Sequence, residues 1–160
     1  MKKFTIKLKI GLLGLSCLVF MSFSVWADLL EESSNLQNLL REHHNETLSK
    51  SGIKRYELQV TNSGFCRYKR FYTNGKVEYF SLNLGKFKSM DYYGTDKAGN
   101  LILHSVGDDV IVQTHNDRKY GDIDSMANYM SIPLKNIEPE NLTELSDRLT
   151  KINTQVLAQK

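Results

Sequence analysis

The chain has 160 residues, of which 41% are hydrophobic and 24% charged, with ten glycines, two prolines and a formal net charge of +3. These proportions exclude a collagen-like, low-complexity or strongly disordered polypeptide and fit an ordinary globular protein. The positive charge invites an anionic partner such as nucleic acid only if it belongs to the folded part of the chain.

The first predicted element removes that charge. Lys2, Lys3, Lys7 and Lys9 form a basic start without an acid, Ile10 to Met21 is a short apolar stretch, and Val25-Trp26-Ala27 follows. This is the pattern of a bacterial-type secretory signal peptide, with cleavage expected after Ala27. The uncharged run from Ile10 to Ala27 carries Gly11, Gly14 and three serines and is short for a membrane span. Cys17 lacks the large aliphatic residue that a lipidation signal wants three positions earlier, where Gly14 stands. The expected organisation is therefore a leader over 1–27 and a single domain over 28–160. No stable membrane span remains after cleavage, and the location is periplasmic or extracellular. Residues 28–160 carry 17 basic against 18 acidic side chains, net −1. A counterion-release argument for nucleic acid then has no basis. Of two cysteines only Cys66 remains, so no internal disulfide is expected.

Asp28 to Lys50 reads as a helix, with Leu29, Leu36, Leu40, His43 and Thr47 near one face. Asp28, Glu31 and Glu32 crowd its start and Lys50 its end, as the macrodipole prefers. A meander of strands follows over Lys54 to Thr114. Tyr56, Leu58 and Val60 alternate with polar residues; Phe65 to Thr73 and Lys76 to Leu84 flank Asn74-Gly75, a strong hairpin signal in which both residues tolerate positive φ. Phe87 to Gly94 is a fourth strand. A turn over Asp96 to Asn100 precedes Leu101 to Val106 and Val110 to Thr114. The Met126/Met130 spacing and the acids Asp122 and Asp124 predict a short helix over Asp122 to Met130. Ser131 to Ile137 reads as an edge strand tolerant of Pro133. Pro139 to Leu157 reads as a helix with Pro139 in its first turn and the stripe Leu142, Leu145, Leu149, Ile152 and Val156.

The expected fold class is α+β: an N-terminal helix, an antiparallel meander of six to seven strands in a strongly bent sheet or partial barrel, and a C-terminal helix packed on it. Strands followed by a terminal helix loosely resemble the topology of a pleckstrin-homology-type barrel. The likeness is one of element order, and no motif accompanies it.

Candidate chemistry is sparse. Cys66 as a nucleophile would need a base and an acid, for which His104, His115 and Asp117 are available. Its mid-strand position, in phase with Tyr68 and Tyr72, fits a small buried hydrophobe better. His43 and His44 are adjacent, not four apart as a helical metal pair requires. Asp108-Asp109 and Asp122-Ile123-Asp124 lack the spaced ligand run of a calcium loop. No catalytic constellation, metal site or cofactor motif is expected. Asn45-Glu46-Thr47 and Asn141-Leu142-Thr143 match a glycosylation sequon, which matters only in a eukaryotic secretory pathway.

Charge is distributed unevenly. Residues 28–53 carry net −3, residues 54–88 net +6 and residues 89–160 net −4. The basic segment is also aromatic, with Tyr56, Phe65, Tyr68, Phe71, Tyr72, Tyr79, Phe80 and Phe87. Arg and Tyr are residues enriched at protein interfaces. The expectation is an exported, non-catalytic protein that recognises a protein partner, of which an inhibitor or immunity-type protein is one version. The binding residues would be Arg67, Lys69, Arg70 and Tyr72 on the sheet, or His115, Asn116, Asp117 and Arg118 in the polar loop that ends at Asp122. Two alternatives compete: a small-ligand or lipid-binding half-barrel with a cavity lined by Leu82, Tyr79 and Val112, and an enzyme dependent on Cys66. Nothing in the sequence bears on oligomeric state.

Overall fold

A computed structural model describes residues 28–45 and 52–159. The signal-peptide reading of residues 1–27 lies outside them, as does the expected end of the first helix. The described chain runs α1 (residues 28–42), β1 (Ile53–Val60), β2 (Phe65–Tyr72), β3 (Val77–Asn83), a 3-10 turn (Leu84–Lys86), β4 (Phe87–Gly94), β5 (Ala98–Ser105), β6 (Val110–His115), β7 (Ile123–Ala127), β8 (Tyr129–Lys135) and α2 (Pro139–Ala158). The fold class is α+β with antiparallel strands between two helices, as expected. The strands number eight and form two sheets, ordered β1-β2-β3-β6-β7 and β4-β5-β8, and no barrel closes.

Three corners divide one meander into two sheets. Asn83 accepts a hydrogen bond from Gly85 N at 2.9 Å and tightens the 3-10 turn, which carries the chain from β3 away to β4. Ser105 Oγ donates to Gly107 O at 2.6 Å and accepts from Asp109 N at 3.4 Å, which returns the chain to β6, beside β3. Between β7 and β8 a single residue, Asn128, separates the two sheets, and its carbonyl accepts from Ser105 N at 2.9 Å.

The inner faces and both helices share one core. Leu58, Val60, Cys66, Tyr68, Leu82 and Val110 come from the five-stranded sheet, and Leu101, Leu103, Met130, Ile132 and Leu134 from the three-stranded one. Leu29, Leu36 and Leu40 on α1 and Leu145, Leu149, Ile152 and Val156 on α2 complete it, each set at spacings of three, four or seven. Asn141 Oδ1 accepts from Glu138 N at 3.1 Å and closes the start of α2, with Pro139 in the first turn as expected.

Two expectations are corrected. The first helix ends at residue 42, because the backbone of residues 43–45 adds to the edge of β8: Lys135 N donates to His43 O at 2.7 Å and Asn45 N to Pro133 O at 3.0 Å. Pro133 therefore lies on an outer strand, as expected, with its carbonyl turned toward that added segment. The helix expected over Asp122 to Met130 is instead β7, the corner and the start of β8. Ile123, Ser125 and Ala127 alternate with Asp124 and Met126 against β6, and Met130 is buried in the other sheet. Asp122 does not cap a helix; its Oδ1 accepts from Asp117 N at 3.3 Å within the loop.

Candidate binding face

The register of the five-stranded sheet places its outward side chains in three rungs. Arg55, Phe71, Val77 and His115 form one; Glu57, Lys69, Tyr79, Gln113 and Asp124 the next; Gln59, Arg67, Ser81, Ile111 and Met126 the third. The buried side chains of both helices pack with the opposite phase, so neither helix covers this face. Arg55, Arg67 and His115 are exposed, while Lys69, Phe71 and Tyr79 are half-buried.

The cations stand over rings. The Arg55 guanidinium lies 3.6 Å from the Phe71 centroid, Lys69 Nζ lies 4.9 Å from the same ring, and Arg67 lies 5.6 Å from Phe65. Arg55 also pairs with Glu57 at 2.6 Å. Among the described residues Arg67 and Lys69 have no ion-pair partner. Exposed cation–ring contacts are worth about 0.5–1 kcal/mol each, enough to orient long side chains while leaving their charge unmatched. A surface of this kind can meet carboxylates and aromatic edges of a partner without a cavity.

The residues expected to bind are divided by the pleat. Arg67, Lys69 and His115 share the outer face. Arg70 and Tyr72 point the other way and converge on Glu78: Arg70 at 2.8 Å, Tyr72 Oη at 2.7 Å and Lys76 Nζ at 2.7 Å. Burial raises the Glu78 pKa, but the bonds from Lys76 and Tyr72 and the Arg70 charge outweigh it and hold the carboxyl below its usual range. Burial, and then the bond to Glu78, push the Tyr72 hydroxyl up to about 12. Two cations thus share one carboxylate; Lys76 also lies 3.9 Å from Asp117, and Arg70 Nε is buried without a partner. The loop residues serve the turn: Asn116 takes φ 58°, and Asp117 Oδ1 accepts from Lys119 N at 2.9 Å and Tyr120 N at 3.1 Å. Those two bonds lower the Asp117 pKa. Arg118 is exposed beside them.

Sequence reading missed Arg55, which comes from a different strand, and the pairing of Lys69 with Tyr79. The signal for both is hairpin register. Gly75 takes φ 87° while Asn74 keeps a negative φ, and Tyr72 N donates to Lys76 O at 2.9 Å. The loop is therefore three residues, Thr73-Asn74-Gly75, and not the two-residue turn that positive φ at both residues implies.

The other candidates do not converge. Cys66 is fully buried, and burial pushes its thiol up to about 12, opposite to what a nucleophile needs. His104 lies on the outer face of the three-stranded sheet, 2.9 Å from Asp91, and His115 lies on the other sheet, so neither approaches the thiol. Leu82 and Val112 face inward and Tyr79 outward, so the three cannot line one cavity. No group of three or more His, Cys, Asp or Glu side chains among the described residues is arranged to hold a metal ion. No helix among the described residues is long and apolar enough to cross a membrane.

No protein-family model matches the chain, and comparison with curated proteins and with solved structures finds no match.

Proposed function

We propose that this is an exported, non-catalytic binding protein that docks an acidic protein partner on the outer face of its five-stranded sheet. The observation that carries this reading is the pair Arg67 and Lys69, ordered among aromatic rings and without a carboxylate of their own. Tyr, Phe and Arg enrich the centres of protein interfaces, and unmatched cations favour an oppositely charged surface and speed encounter with it. An inhibitor or immunity-type protein acting outside the cytoplasm is one concrete form.

The test compares the protein with its Arg67→Glu/Lys69→Glu variant as immobilised bait against the envelope and medium fractions of its own host. The expected result is a stoichiometric acidic protein held by the first and lost from the second, with equal melting temperatures for the two baits. Identical recovery on both baits, or none on either, would sink the proposal. Recovery that declines steeply with added salt would match an interface built on exposed cations.

A further inference from the structure

Edge strands expose unpaired backbone donors and acceptors, and folded proteins blunt them. Two sheets give this molecule four edges, and three carry an identifiable guard. On β1, Gln37 Oε1 accepts from Val60 N at 3.0 Å and Arg41 Nε donates to Leu58 O at 3.0 Å. On β8, residues 43–45 pair along the edge. On β4, the register is irregular between Phe87 and Ser89, and the exposed Lys88 sits within the irregularity.

The fourth edge, β7, has neither a covering segment nor a register irregularity among the described residues, and its one charge is Asp124. Among the described residues its pairing is with β6 alone, and the one side-chain bond to it comes from Gln113 on β6, to Asp124 at 3.3 Å. Exposed apolar side chains stand on both of its faces, Met126 on the outer one and Ile123 on the inner one. Ile123 is 45% and Met126 52% exposed, and Tyr120 at 72% and Tyr129 at 50% flank them, half of the eight exposed large hydrophobic residues.

We propose that β7 is the pairing edge of a symmetric dimer, in which a second copy adds its own β7 antiparallel about Ser125. A second copy fits because the strand is complementary to its own reverse. With Ser125 on the two-fold axis, Asp124 of each copy lies opposite Met126 of the other, and Ile123 lies opposite Ala127. No like charges face one another, and Ile123 gains an apolar neighbour. The two five-stranded sheets become one of ten, and their uncovered outer faces become continuous. This surface is distinct from the cationic rungs of β1 and β2, so its failure would leave the acidic-partner reading standing.

Sedimentation velocity on protein produced from the full-length reading frame tests the proposal. The expected result is a dimer at micromolar concentration. Met126→Asp sets like charges opposite Asp124 twice and should weaken the dimer on the order of tenfold. Adding Asp124→Lys to that variant places opposite charges across both pairs and should restore it. Both positions are exposed, and melting curves confirm that each variant is folded. As an independent readout, Ser125→Cys in a Cys17→Ser background should join two copies through a short bismaleimide, since Cys66 is buried and does not compete. A monomeric wild type would overturn the proposal. So would a dimer indifferent to Met126→Asp, no rescue by Asp124→Lys, no cross-link through Ser125→Cys, or a strand from another protein on this edge.

Discussion

The imidazole of His44 stacks on Tyr56 with centroids 3.6 Å apart, and its Nε2 lies 2.9 Å from the Tyr68 hydroxyl. Tyr68 is fully buried and has no other acceptor among the described residues, so the hydroxyl donates and the ring proton sits on Nδ1. Nδ1 itself is buried without a partner. Burial, and then the charges of Lys135 and Arg70, lower the His44 pKa to about 4. The unfolded chain, with its ordinary value of 6.5, therefore binds more protons than the folded one between those limits. Stability is intact above the unfolded value, falls as the pH drops through this window, and loses no more below it on this account. At about 1.4 kcal/mol per unit, the total over this window is at most about 3.5 kcal/mol. Urea unfolding followed from neutral pH to the bottom of this window should show that slope, and His44→Gln should flatten it. An unchanged slope in the variant would place the acid sensitivity elsewhere.

At the scale of elements, the end of α2 is seated on glycines. Val156 packs on Gly64 in the β1–β2 turn and on Gly85 in the 3-10 turn, where a Cβ would lie 2.9 Å from Val156 Cγ1. A Cβ on Gly64 would collide with Val156 Cγ2, and Gly64 also takes φ 77°. Gly64→Ala should therefore cost about 2–3 kcal/mol, from left-handed backbone and overpacking together. Gly75→Ala should cost less, about 1 kcal/mol, because its φ of 87° is the only penalty and nothing lies within 4 Å. Chemical denaturation of the two variants separates the terms, and equal costs would show that Val156 yields freely. These same elements show what a sequence can display. β4 and α2 were legible almost to the residue, since glycines flank β4 and Pro139 opens the clean apolar stripe of α2. The stretch 122–130 was not. Met126 and Met130 are four apart, as on a helix, but they belong to different sheets on either side of Asn128. Local spacing carries no record of a corner made by long-range pairing. The binding face was half legible for a related reason: the phase of Arg67 and Lys69 is local, whereas their neighbours Arg55 and Tyr79 depend on register.

Across the whole molecule, α1 is the element that ties the parts together. Gln37 and Arg41 fill the edge of β1, residues 43–45 extend the sheet at β8, and Glu32 receives Arg148 at 2.8 Å and Lys151 at 2.8 Å from α2. Lys151 also reaches Asp28 at 3.0 Å, and Gln155 bonds to the same carboxylate. The ion pairs are solvated and contribute little. The buried Leu29, Leu36 and Leu40 contribute more, on the order of 1.5–3 kcal/mol apiece. The described part of α1, residues 28–42, is marginal alone. It holds its shape because releasing it would expose the core and uncover two sheet edges at once. Native-state hydrogen exchange should accordingly find the amides of Leu36 and Leu40 opening with the same free energy as those of Leu82 and Leu103, not in an earlier local step. Gln37→Ala should raise the exchange rate of Val60 N selectively, since that amide would lose its acceptor at an edge facing water. If α1 instead exchanged well before the central strands, it would be a detachable flap, and the two sheets would have to hold together without it.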